Sequence, residues 1–287
     1  MGRMAGDKLP VAILGPLGTY THEAAFHAFG HHALYNERSS IADVFEALST
    51  GELLGVVPHE NSIFGTVVET FDLLRSTSCS IIGEVTLKVE HCLLVKHGVQ
   101  LEQIKRVFSH EQALGQCRGF LGDRLPQAMT IKTPSTAAAA QAVLNQEQDC
   151  AAICSRMCAT LFDGLEVLAS GIQNEKSNFT QFYLLSSSNA YELPPPVSRD
   201  LQRKALIRVV APATADTTRI LDALKLSTLR ISRRPSLEPI PFHSTYFVEV
   251  QGDQNSNSTK AEWRAEIETG LSRVKQVGAE GSILGFW

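Results

Sequence analysis

Four short polar clusters supply the residue types in this sequence that could carry chemistry. They are residues 15–19, 60–62, 109–112 and 135–136, and each follows an apolar run and precedes a stretch with helical periodicity. The first turn of a helix presents unpaired N–H groups and the positive end of the helix dipole, and both favour anions. One such cluster alone is typical of an ordinary helix cap. Four together indicate a site for a small, multiply charged anion.

Other kinds of site find less support in the residue spacing. Residues 15–19 lack the G-x-G-x-x-G pattern of dinucleotide sites, and no Lys-Ser/Thr pair follows them to make a P-loop. Ser62, His110 and Asp43 could form a nucleophile set, but their spacing does not require it and no nucleophile elbow is present. The sequence therefore favours binding by helix ends over these alternatives.

Three of the six cysteines, Cys150, Cys154 and Cys158, recur every four residues. This spacing predicts that they lie along one face of a helix. Thiols in such a row do not enclose a tetrahedral ion. We therefore expect them to be small buried core residues, and we expect no metal site.

Short strands and helices alternate along the segments that must position the polar clusters. Apolar periodicity predicts strands at residues 11–14, 53–57, 81–87, 91–95, 106–108, 129–132 and 150–153. Helices are predicted to end near residue 29, to cover residues 41–48, 67–74, 112–121 and 137–144, and to end again near residue 164. Alternation of this kind indicates an α/β fold with parallel sheets covered by helices. In such sheets, ligands bind beyond the carboxyl ends of the strands.

A polar tract and three consecutive prolines (residues 194–196) mark a boundary near residue 190. Beyond it, the periodicity predicts strand 205–210, helix 217–226, strands 228–232 and 245–250, helix 261–271 and strand 276–283. That order is βαββαβ, the ferredoxin-like plan. The Ser/Asn-rich residues 251–259 are predicted to form a mobile loop.

The overall composition excludes several classes of protein. The chain has 287 residues, of which 44% are hydrophobic, and a net charge of −4, so it lacks the basic footprint of a nucleic-acid-binding protein. No stretch approaches the roughly 18–20 apolar residues of a membrane helix. The first residues lack the apolar region of a signal peptide. These features predict a cytoplasmic protein with neither a nucleic-acid nor a membrane partner.

Five motifs, in order along the chain, resemble those of the prephenate dehydratases. They occupy residues 15–25, 57–65, 109–117, 135–140 and 178–185. The resemblance implies a catalytic domain at residues 1–190, shaped like a two-lobed type II periplasmic binding protein, with lobes at about 10–85 plus 175–190 and at 86–174. It also implies a linker at residues 191–202 and a ferredoxin-like ACT domain at residues 203–287.

The resemblance implies the conversion of prephenate to phenylpyruvate, with loss of carbon dioxide and water and without a metal or organic cofactor. Thr180 matches the family's catalytic threonine, and Glu60 and His110 are titratable candidates for the acid. Nine other residues of the matched motifs would bind the two carboxylates and the pyruvyl group of the substrate. They are Thr19, Asn61, Ser62, Ser109, Gln112, Ser135, Thr136, Gln181 and Phe182.

The sequence departs from the family pattern at several positions. Gln181 stands where the family carries an arginine, and Glu111 replaces a common proline.

The resemblance implies that the ACT domain binds L-phenylalanine as an inhibitor at a dimer interface, with Ser232, Arg234 and Pro235 as regulatory residues. It implies a homodimer or homotetramer. The glycine signature before the first helix of the ACT domain is replaced by residues 213–216 (Ala-Thr-Ala-Asp), so phenylalanine binding and a ligand-free dimerisation domain both stay open.

Three other functions stay open. An arogenate dehydratase shares these motifs and differs in the amino group of its substrate. A non-catalytic sensor of amino or keto acids could keep the same fold, with Gln181 as the feature that favours it. A transport-type binding protein is disfavoured because the expected signal peptide is missing.

Overall fold

The structure, a computed structural model, describes residues 8–188, 203–253 and 259–287. The predicted proline-rich linker and the central part of the predicted loop at 251–259 lie outside the described residues. The chain divides into two compact units. Unit 1 contains Met1–Val44, Val56–Gly65 and Val85–Phe182, and unit 2 contains Phe45–Gly55, Thr66–Glu84 and Tyr183–Trp287. Unit 2 therefore includes segments from the first 190 residues, and the domain boundaries drawn from the sequence stay predictions.

The described elements alternate between strands and helices through most of the chain. The strands are β1 Leu9–Leu14, β2 Ala33–Arg38, β3 Leu54–Asn61, β4 Gly65–Thr66, β5 Ser80–Lys88, β6 Cys92–Lys96, β7 Arg106–Ser109, β8 Met129–Lys132, β9 Cys150–Cys154, β10 Leu165–Ser170, β11 Phe179–Ser186, β12 Lys204–Ala211, β13 Ser227–Pro235, β14 Ser244–Gln251 and β15 Glu280–Phe286. The α-helices are α1 Tyr20–Phe29, α2 Ile41–Thr50, α3 Val68–Leu74, α4 Glu111–Gln116, α5 Arg118–Arg124, α6 Thr136–Leu144, α7 Met157–Leu161, α8 Thr217–Leu224 and α9 Lys260–Gln276.

The strands that belong wholly or in part to unit 1 form two groups. One follows the order β5-β11-β3-β1-β2, with β4 beside β3, and the other is a five-stranded sheet with the order β10-β6-β9-β7-β8. As predicted, β7 pairs in parallel with β8 and β9. β1 also pairs in parallel, with β2, a strand that was not predicted. The prediction of wholly parallel sheets was wrong for β6, which is antiparallel to β9 and β10. Because β6 follows β5, which lies in the other group of strands, no crossover within one sheet fixes the direction of β6.

The five-stranded sheet is buried on both faces. Cys92 and Leu94 of β6 join one hydrophobic cluster with residues of α6. Leu93 and Val95, which point to the opposite face, join a second cluster with residues of α4 and α5. Helices therefore cover both faces, which explains why these strands are continuous apolar runs.

The prediction that three cysteines share one helical face was wrong. Cys150 and Cys154 lie on β9, and Cys158 lies on α7. In β9, residues four apart also point to the same face, so the spacing alone could not distinguish the two elements. All three side chains are fully buried in the cluster that packs against α6, which confirms the expectation that they are core residues.

The C-terminal part of unit 2 has the predicted βαββαβ order. Its strands follow the order β13-β14-β12-β15 and are antiparallel throughout, as in a ferredoxin-like fold. Ile220 and Leu224 of α8 and Trp263 and Ile267 of α9 pack against these strands in one hydrophobic cluster. We refer to β12–β15 with α8 and α9 as the C-terminal module. Among the described residues, no helix combines the length and hydropathy needed to cross a membrane.

Candidate active site

Thr19 closes the turn between β1 and α1. Its hydroxyl donates to the carbonyl oxygen of Leu14 (3.0 Å) and accepts from the N–H of His22 (3.4 Å), so it caps α1. The N–H of Gly18 donates to Nδ1 of His22 (3.1 Å) and closes the same turn. The Thr19 hydroxyl therefore shapes the turn, and ligand binding at this position would rest mainly on the N–H groups of the first turn of α1.

Gly18 brings the start of α1 close to α6 and α7. It has φ +91°, and a Cβ atom placed on it would lie 2.9 Å from Cys158 Sγ and 3.3 Å from Ala137 Cβ. Its carbonyl oxygen accepts a hydrogen bond from Ser155 Oγ (3.3 Å). Only glycine fits both the backbone conformation and the space. Two of the predicted polar clusters, residues 15–19 and 135–136, are thereby brought together.

Ser135 and Thr136 begin α6. Ser135 Oγ accepts from the N–H of Ala138 (3.0 Å), which makes Ser135 the N-cap. Thr136 is the first helical residue, and both side chains are half-buried. The predicted cap is confirmed, and the start of α6 lies near the start of α1 through Gly18.

Residues 109–112 join β7 to α4. His110 is the N-cap of α4, and its Nδ1 accepts from the N–H of Gln112 (3.4 Å). Nδ1 is therefore the unprotonated nitrogen of the neutral ring, and Nε2 carries the hydrogen. Lys132 pairs with Glu111 (2.5 Å) and holds the pKa of that carboxyl below its usual range. The side chain of Gln112 is exposed.

Ser109 does not offer its hydroxyl to a ligand. Its side chain is fully buried, and Oγ donates to the carbonyl oxygen of Ile153 on β9 (2.5 Å). Its own carbonyl oxygen accepts from the N–H of Thr133 (2.9 Å), just beyond β8. Ser109 therefore holds the carboxyl ends of β7, β8 and β9 together, a role that differs from the predicted substrate contact.

The end of β3 and the start of β11 form a compact polar group, which we call the Asn61–Thr180 group: Asn61, Ser62, Asn178 and Thr180. Asn61 Nδ2 lies 2.9 Å from Thr180 Oγ1, 2.8 Å from Asn178 Oδ1 and 3.1 Å from the carbonyl oxygen of Phe179. Asn61 Oδ1 accepts from the N–H groups of Ile63 and Phe64 (2.9 and 3.0 Å). These two acceptor contacts establish which end of the Asn61 amide is the donor.

Ser62 joins the same two segments. Its Oγ donates to the carbonyl oxygen of Ser177 (3.0 Å) and accepts from the N–H of Phe179 (2.9 Å). The N–H of Ser62 donates to the carbonyl oxygen of Phe179 (2.8 Å). The structure thus shows Asn61 and Ser62 holding the start of β11 in place, whereas the sequence predicted substrate contacts. The prediction that residues 60–62 directly open a helix was also wrong, because a turn and β4 precede α3.

Thr180 is left as a hydrogen-bond donor. Its Oγ1 accepts the Asn61 amide, and among the described residues no acceptor takes the hydroxyl hydrogen of Thr180. A hydroxyl has one hydrogen to donate and two lone pairs. Since Asn61 occupies a lone pair, the hydrogen is directed away from Asn61, and the half-buried side chain can donate it to a ligand.

Three predicted residues lie away from the Thr180 hydroxyl. Phe182 is 1% exposed and belongs to the core, so it offers no surface to a substrate. Gln181 is on the face of β11 opposite to Thr180, because successive strand residues alternate, and its Nε2 lies 3.5 Å from Thr86 Oγ1. By the same alternation, Glu60 and Asn61 point to opposite faces of β3.

The sequence interpretation missed the residues that connect the two groups of strands. Tyr20, at the start of α1, has its hydroxyl 2.7 Å from Nδ1 of His91, and Nε2 of His91 lies 2.5 Å from Oε1 of Gln116. Burial raises the pKa of the Tyr20 phenol and lowers the pKa of the His91 imidazole. Asn178 was also missed as a site residue, although it lies inside a matched motif. Tyr20 and Gln116 lie inside matched motifs as well, whereas His91 carries no local pattern that would have identified it.

Two of the predicted regulatory residues of the C-terminal module, Arg234 and Pro235, contact α3 or the residue that follows it, within unit 2. Arg234 forms two hydrogen bonds to the carboxylate of Asp72 (both 2.7 Å). The carbonyl oxygen of Pro235 accepts from Nη1 of Arg75 (3.0 Å). Ser232 is half-buried on β13. Arg234 therefore has its charge paired inside the protein.

Within the described residues, no group of three or more His, Cys, Asp or Glu side chains could hold a metal ion. The candidate site is instead made of hydroxyl, amide and imidazole groups together with the starts of helices. Such groups can bind carboxylates and donate a hydrogen bond to a leaving oxygen.

The family model described as prephenate dehydratase matches residues 11–190. This chain belongs to the prephenate dehydratase family. A bifunctional chorismate mutase/prephenate dehydratase of Neisseria gonorrhoeae is 34% identical over 273 residues, which cover 93% of this chain and 70% of the relative. The corresponding Escherichia coli protein is 32% identical over 280 residues, 96% of this chain and 69% of the relative.

Solved structures agree with the family assignment. An Arthrobacter aurescens prephenate dehydratase in complex with L-Phe superposes with a TM-score of 0.78 at 26% identity, covering 96% of this chain and 89% of that chain. A structure described as a novel type of quorum-quenching acylase superposes with a TM-score of 0.77 at 24% identity, covering 96% of this chain and 97% of that chain. At that identity, the second match shows the shared fold alone.

Proposed function

We propose that this chain is a prephenate dehydratase of L-phenylalanine biosynthesis, which converts prephenate to phenylpyruvate, carbon dioxide and water. The observation that carries the proposal is the 2.9 Å contact from Asn61 Nδ2 to Thr180 Oγ1. It leaves the Thr180 hydroxyl as a donor, in the family in which the motif at residues 178–185 implies a catalytic threonine.

The reaction needs help mainly at the departing oxygen. Prephenate loses its ring carboxylate as carbon dioxide, the electron pair of the broken C–C bond completes the aromatic ring, and the ring hydroxyl leaves and takes up a proton to become water. Charge grows on the leaving oxygen in the transition state. A donor already aimed at that oxygen stabilises the charge without having to reorganise during the reaction. Thr180 fits this role because its hydroxyl is oriented by Asn61.

The two carboxylates of prephenate match the starts of α1 and α6. These helices have 10 and 9 residues, and Gly18 brings their first turns together. Helix N-termini attract anions through their N–H groups and dipoles. We therefore place the carboxylate-binding function at these two helix ends, with Thr136 as a candidate side-chain contact.

A threonine hydroxyl has too high a pKa to act as a free general acid, so the proton that completes the water molecule comes from another group. Glu60 as a carboxylic acid and His110 as an imidazolium are the candidates that the sequence supplies. To act as the acid, the neutral imidazole that caps α4 must first take up a proton on Nδ1. The pH profile of kcat in His110→Gln and Glu60→Gln decides between them. Substitution of the true acid should remove one limb of the pH profile of kcat, and substitution of the other residue should leave both limbs in place.

The direct test measures phenylpyruvate formation from prephenate by ultraviolet absorption. Wild type is expected to turn over prephenate, Thr180→Ala to lose about 100-fold or more in kcat, and Thr180→Ser to keep a donor and part of the rate. Thr269→Ala, at an exposed threonine of α9, is the matched control. Near-full turnover by Thr180→Ala would contradict the assigned role. Faster turnover of arogenate than of prephenate would make the enzyme an arogenate dehydratase.

We also propose that the C-terminal module is an ACT-type domain that binds L-phenylalanine. Its ferredoxin-like strand order and the L-Phe complex of the Arthrobacter aurescens relative support this. Calorimetry with L-phenylalanine tests this proposal. Saturable binding together with loss of turnover is expected, and the absence of binding heat at millimolar L-phenylalanine would contradict the proposal.

A homodimer or homotetramer, to be measured by light scattering, and a cytoplasmic location stay predictions.

A further inference from the structure

Two segments of unit 1 connect its groups of strands, and we call them the crossing segments. The first, residues 89–91, joins β5 to β6, and the second, residues 171–178, joins β10 to β11. The first segment ends at His91, which is 3% exposed. His91 lies between the start of α1 and the end of α4, two elements that carry predicted polar clusters.

The direction of the hydrogen bonds at His91 follows from its partners. Gln116 Oε1 is an acceptor only, so Nε2 of His91 carries the hydrogen in the 2.5 Å contact. Nδ1 of the neutral ring then accepts from the Tyr20 hydroxyl at 2.7 Å. Tyr20 Oη also lies 3.3 Å from the carbonyl oxygen of Glu90. The imidazole therefore links α1, the first crossing segment and α4 in one chain of hydrogen bonds.

The two crossing segments are hydrogen-bonded to each other. The N–H of His91 donates to Oε1 of Gln173 (3.0 Å), and Nε2 of Gln173 donates to the carbonyl oxygen of Val89 (3.3 Å). The N–H of Ile172 donates to the carbonyl oxygen of His91 (3.1 Å). Each segment thus supplies donors and acceptors to the other, and the pair forms one polar unit in a buried environment.

This polar unit continues to the Asn61–Thr180 group. The N–H of Val89 donates to the carbonyl oxygen of Asn178 (2.8 Å), and Asn178 Oδ1 accepts from Asn61 Nδ2 (2.8 Å). Asn61 is the residue that orients the Thr180 hydroxyl. An unbroken series of contacts therefore runs from the start of α1 to the proposed catalytic donor.

We propose that Tyr20, His91 and Gln116 form a positioning clasp that sets the place of the Thr180 hydroxyl relative to the helix ends that bind substrate carboxylates. The inference rests on the proposed function. None of the three is a catalytic residue. The clasp acts through the crossing segments, because it holds the first segment against α1 and α4 while the second segment leads into β11.

Loss of the clasp should affect the rate more than substrate binding. The carboxylates are bound at the helix ends, which keep their own caps at Thr19 and Ser135. The hydroxyl of Thr180 is needed in the transition state, where a small displacement of a catalytic group is costly. Weakening the clasp should therefore lower kcat and leave KM nearly unchanged.

The first test compares Tyr20→Phe with Tyr35→Phe. Both substitutions remove a tyrosine hydroxyl packed near α1, but the Tyr35 hydroxyl donates to the carbonyl oxygen of Gly30 (2.6 Å), at the other end of that helix. Tyr20→Phe is expected to lower kcat about 10-fold, in line with the cost of misplacing a catalytic group, with little change in KM. Tyr35→Phe is expected to keep kcat. Equal losses in both variants, or no loss in Tyr20→Phe, would overturn the clasp.

A second pair of variants separates the hydrogen bond from simple packing. Gln116→Met has a similar shape but removes the acceptor for Nε2 of His91, whereas Gln116→Glu keeps an acceptor. Gln116→Met should reproduce the fall in kcat, and Gln116→Glu should retain most of the rate. A full rate in Gln116→Met would count against the proposal.

Hydrogen exchange distinguishes failure of the clasp from failure of the proposed function. The amides of Val89 and Ile172 each donate from one crossing segment to the other, and Tyr20→Phe should speed their exchange relative to Tyr35→Phe. If wild type did not turn over prephenate, the proposed function would fail and this exchange would still test the clasp. If wild type turned over prephenate and exchange in Tyr20→Phe were unchanged, the clasp proposal would fail and the proposed function would stand.

Discussion

Residues of unit 1 and of unit 2 were predicted, from motif resemblance, to contact a ligand: Asn61, Ser62 and Thr180 in the Asn61–Thr180 group, and Ser232, Arg234 and Pro235 in the C-terminal module. In unit 1, Asn61 occupies a lone pair of the Thr180 hydroxyl and leaves its hydrogen for a substrate. In unit 2, Arg234 directs two N–H groups at Asp72, so its charge is already paired. The comparison shows that the partners inside the protein decide whether a polar side chain in a motif can still bind a ligand.

Asn61→Asp tests the Asn61–Thr180 group and should have the largest effect, a fall in kcat. An ionised carboxylate accepts hydrogen bonds only, so the Thr180 hydroxyl would donate its hydrogen to the new carboxylate and not to the substrate. We expect kcat to fall about 100-fold, as when one preorganised donor is lost. The measurement is phenylpyruvate formation. Asn145→Asp, which adds the same charge at the exposed C-cap of α6, should leave kcat unchanged, and an equal fall there would show a general charge effect.

Asp72→Asn tests the ion pair between Asp72 and Arg234 through its effect on the stability of the protein. The side chains of Asp72 and Arg234 are 28% and 26% exposed, so we expect a loss of about 1 kcal/mol in the free energy of unfolding, the upper end for a pair near the surface. The turnover of prephenate should be retained. Urea denaturation and the activity assay check the two expectations. A large loss of turnover with unchanged stability would show that the pair serves the reaction and not the fold.

The same pair predicts a dependence of stability on pH. Hydrogen bonding from Arg234 lowers the pKa of the Asp72 carboxyl below its ordinary value of 3.8. A carboxyl whose pKa is lowered by folding stabilises the protein above its ordinary pKa and loses that contribution as the pH falls through the folded-state value. As the pH falls below about 4, wild type should lose thermal stability more steeply than Asp72→Asn. Asp123→Asn, at an exposed position, should follow wild type.

Gln181→Arg should have the smallest effect. It restores the cation that the family carries, but the side chain leaves β11 on the face opposite to Thr180. We therefore expect little change in kcat/KM for prephenate. A clear rise in kcat/KM would show that this position reaches the substrate and would weaken the assignment of carboxylate binding to helix ends.

Strong local patterns predicted most of the elements in the described residues. The apolar run at residues 11–14 became β1, and the alanine-rich residues after Ser135 became α6. Strands β2, β4, β10 and β11 were not predicted. β2 and β10 have largely half-buried or exposed residues, so their apolar periodicity is weak. β11 is largely buried, and its residues were recognised as a motif and not as a strand. The predicted helix at residues 112–121 divides at Cys117 into α4 and α5. Gly115 and Gly119 flank that point, and glycine weakens helix continuity.

Some features of the candidate site could also be predicted from the sequence, and others could not. The caps formed by Thr19, His110 and Ser135 could be predicted because a cap and its partners lie within a few residues of each other. The burial of Phe182 and the opposite orientations of Glu60 and Asn61 could not be predicted from the motifs. Motifs record residue order, whereas the exposed face of a strand depends on what packs against it.

By itself, the sequence determined the family, the order of strands and helices around its strongest motifs, and the βαββαβ plan of the C-terminal module, because these depend on periodicity and on neighbours in the chain. Only the tertiary structure decided what the polar side chains can do. Asn61 and Thr180 are 119 residues apart, and Asp72 and Arg234 are 162 residues apart. A hydrogen bond forms only where folding brings its two partners to within about 3 Å, so the donor at Thr180 and the paired charge at Arg234 both depend on contacts between distant segments.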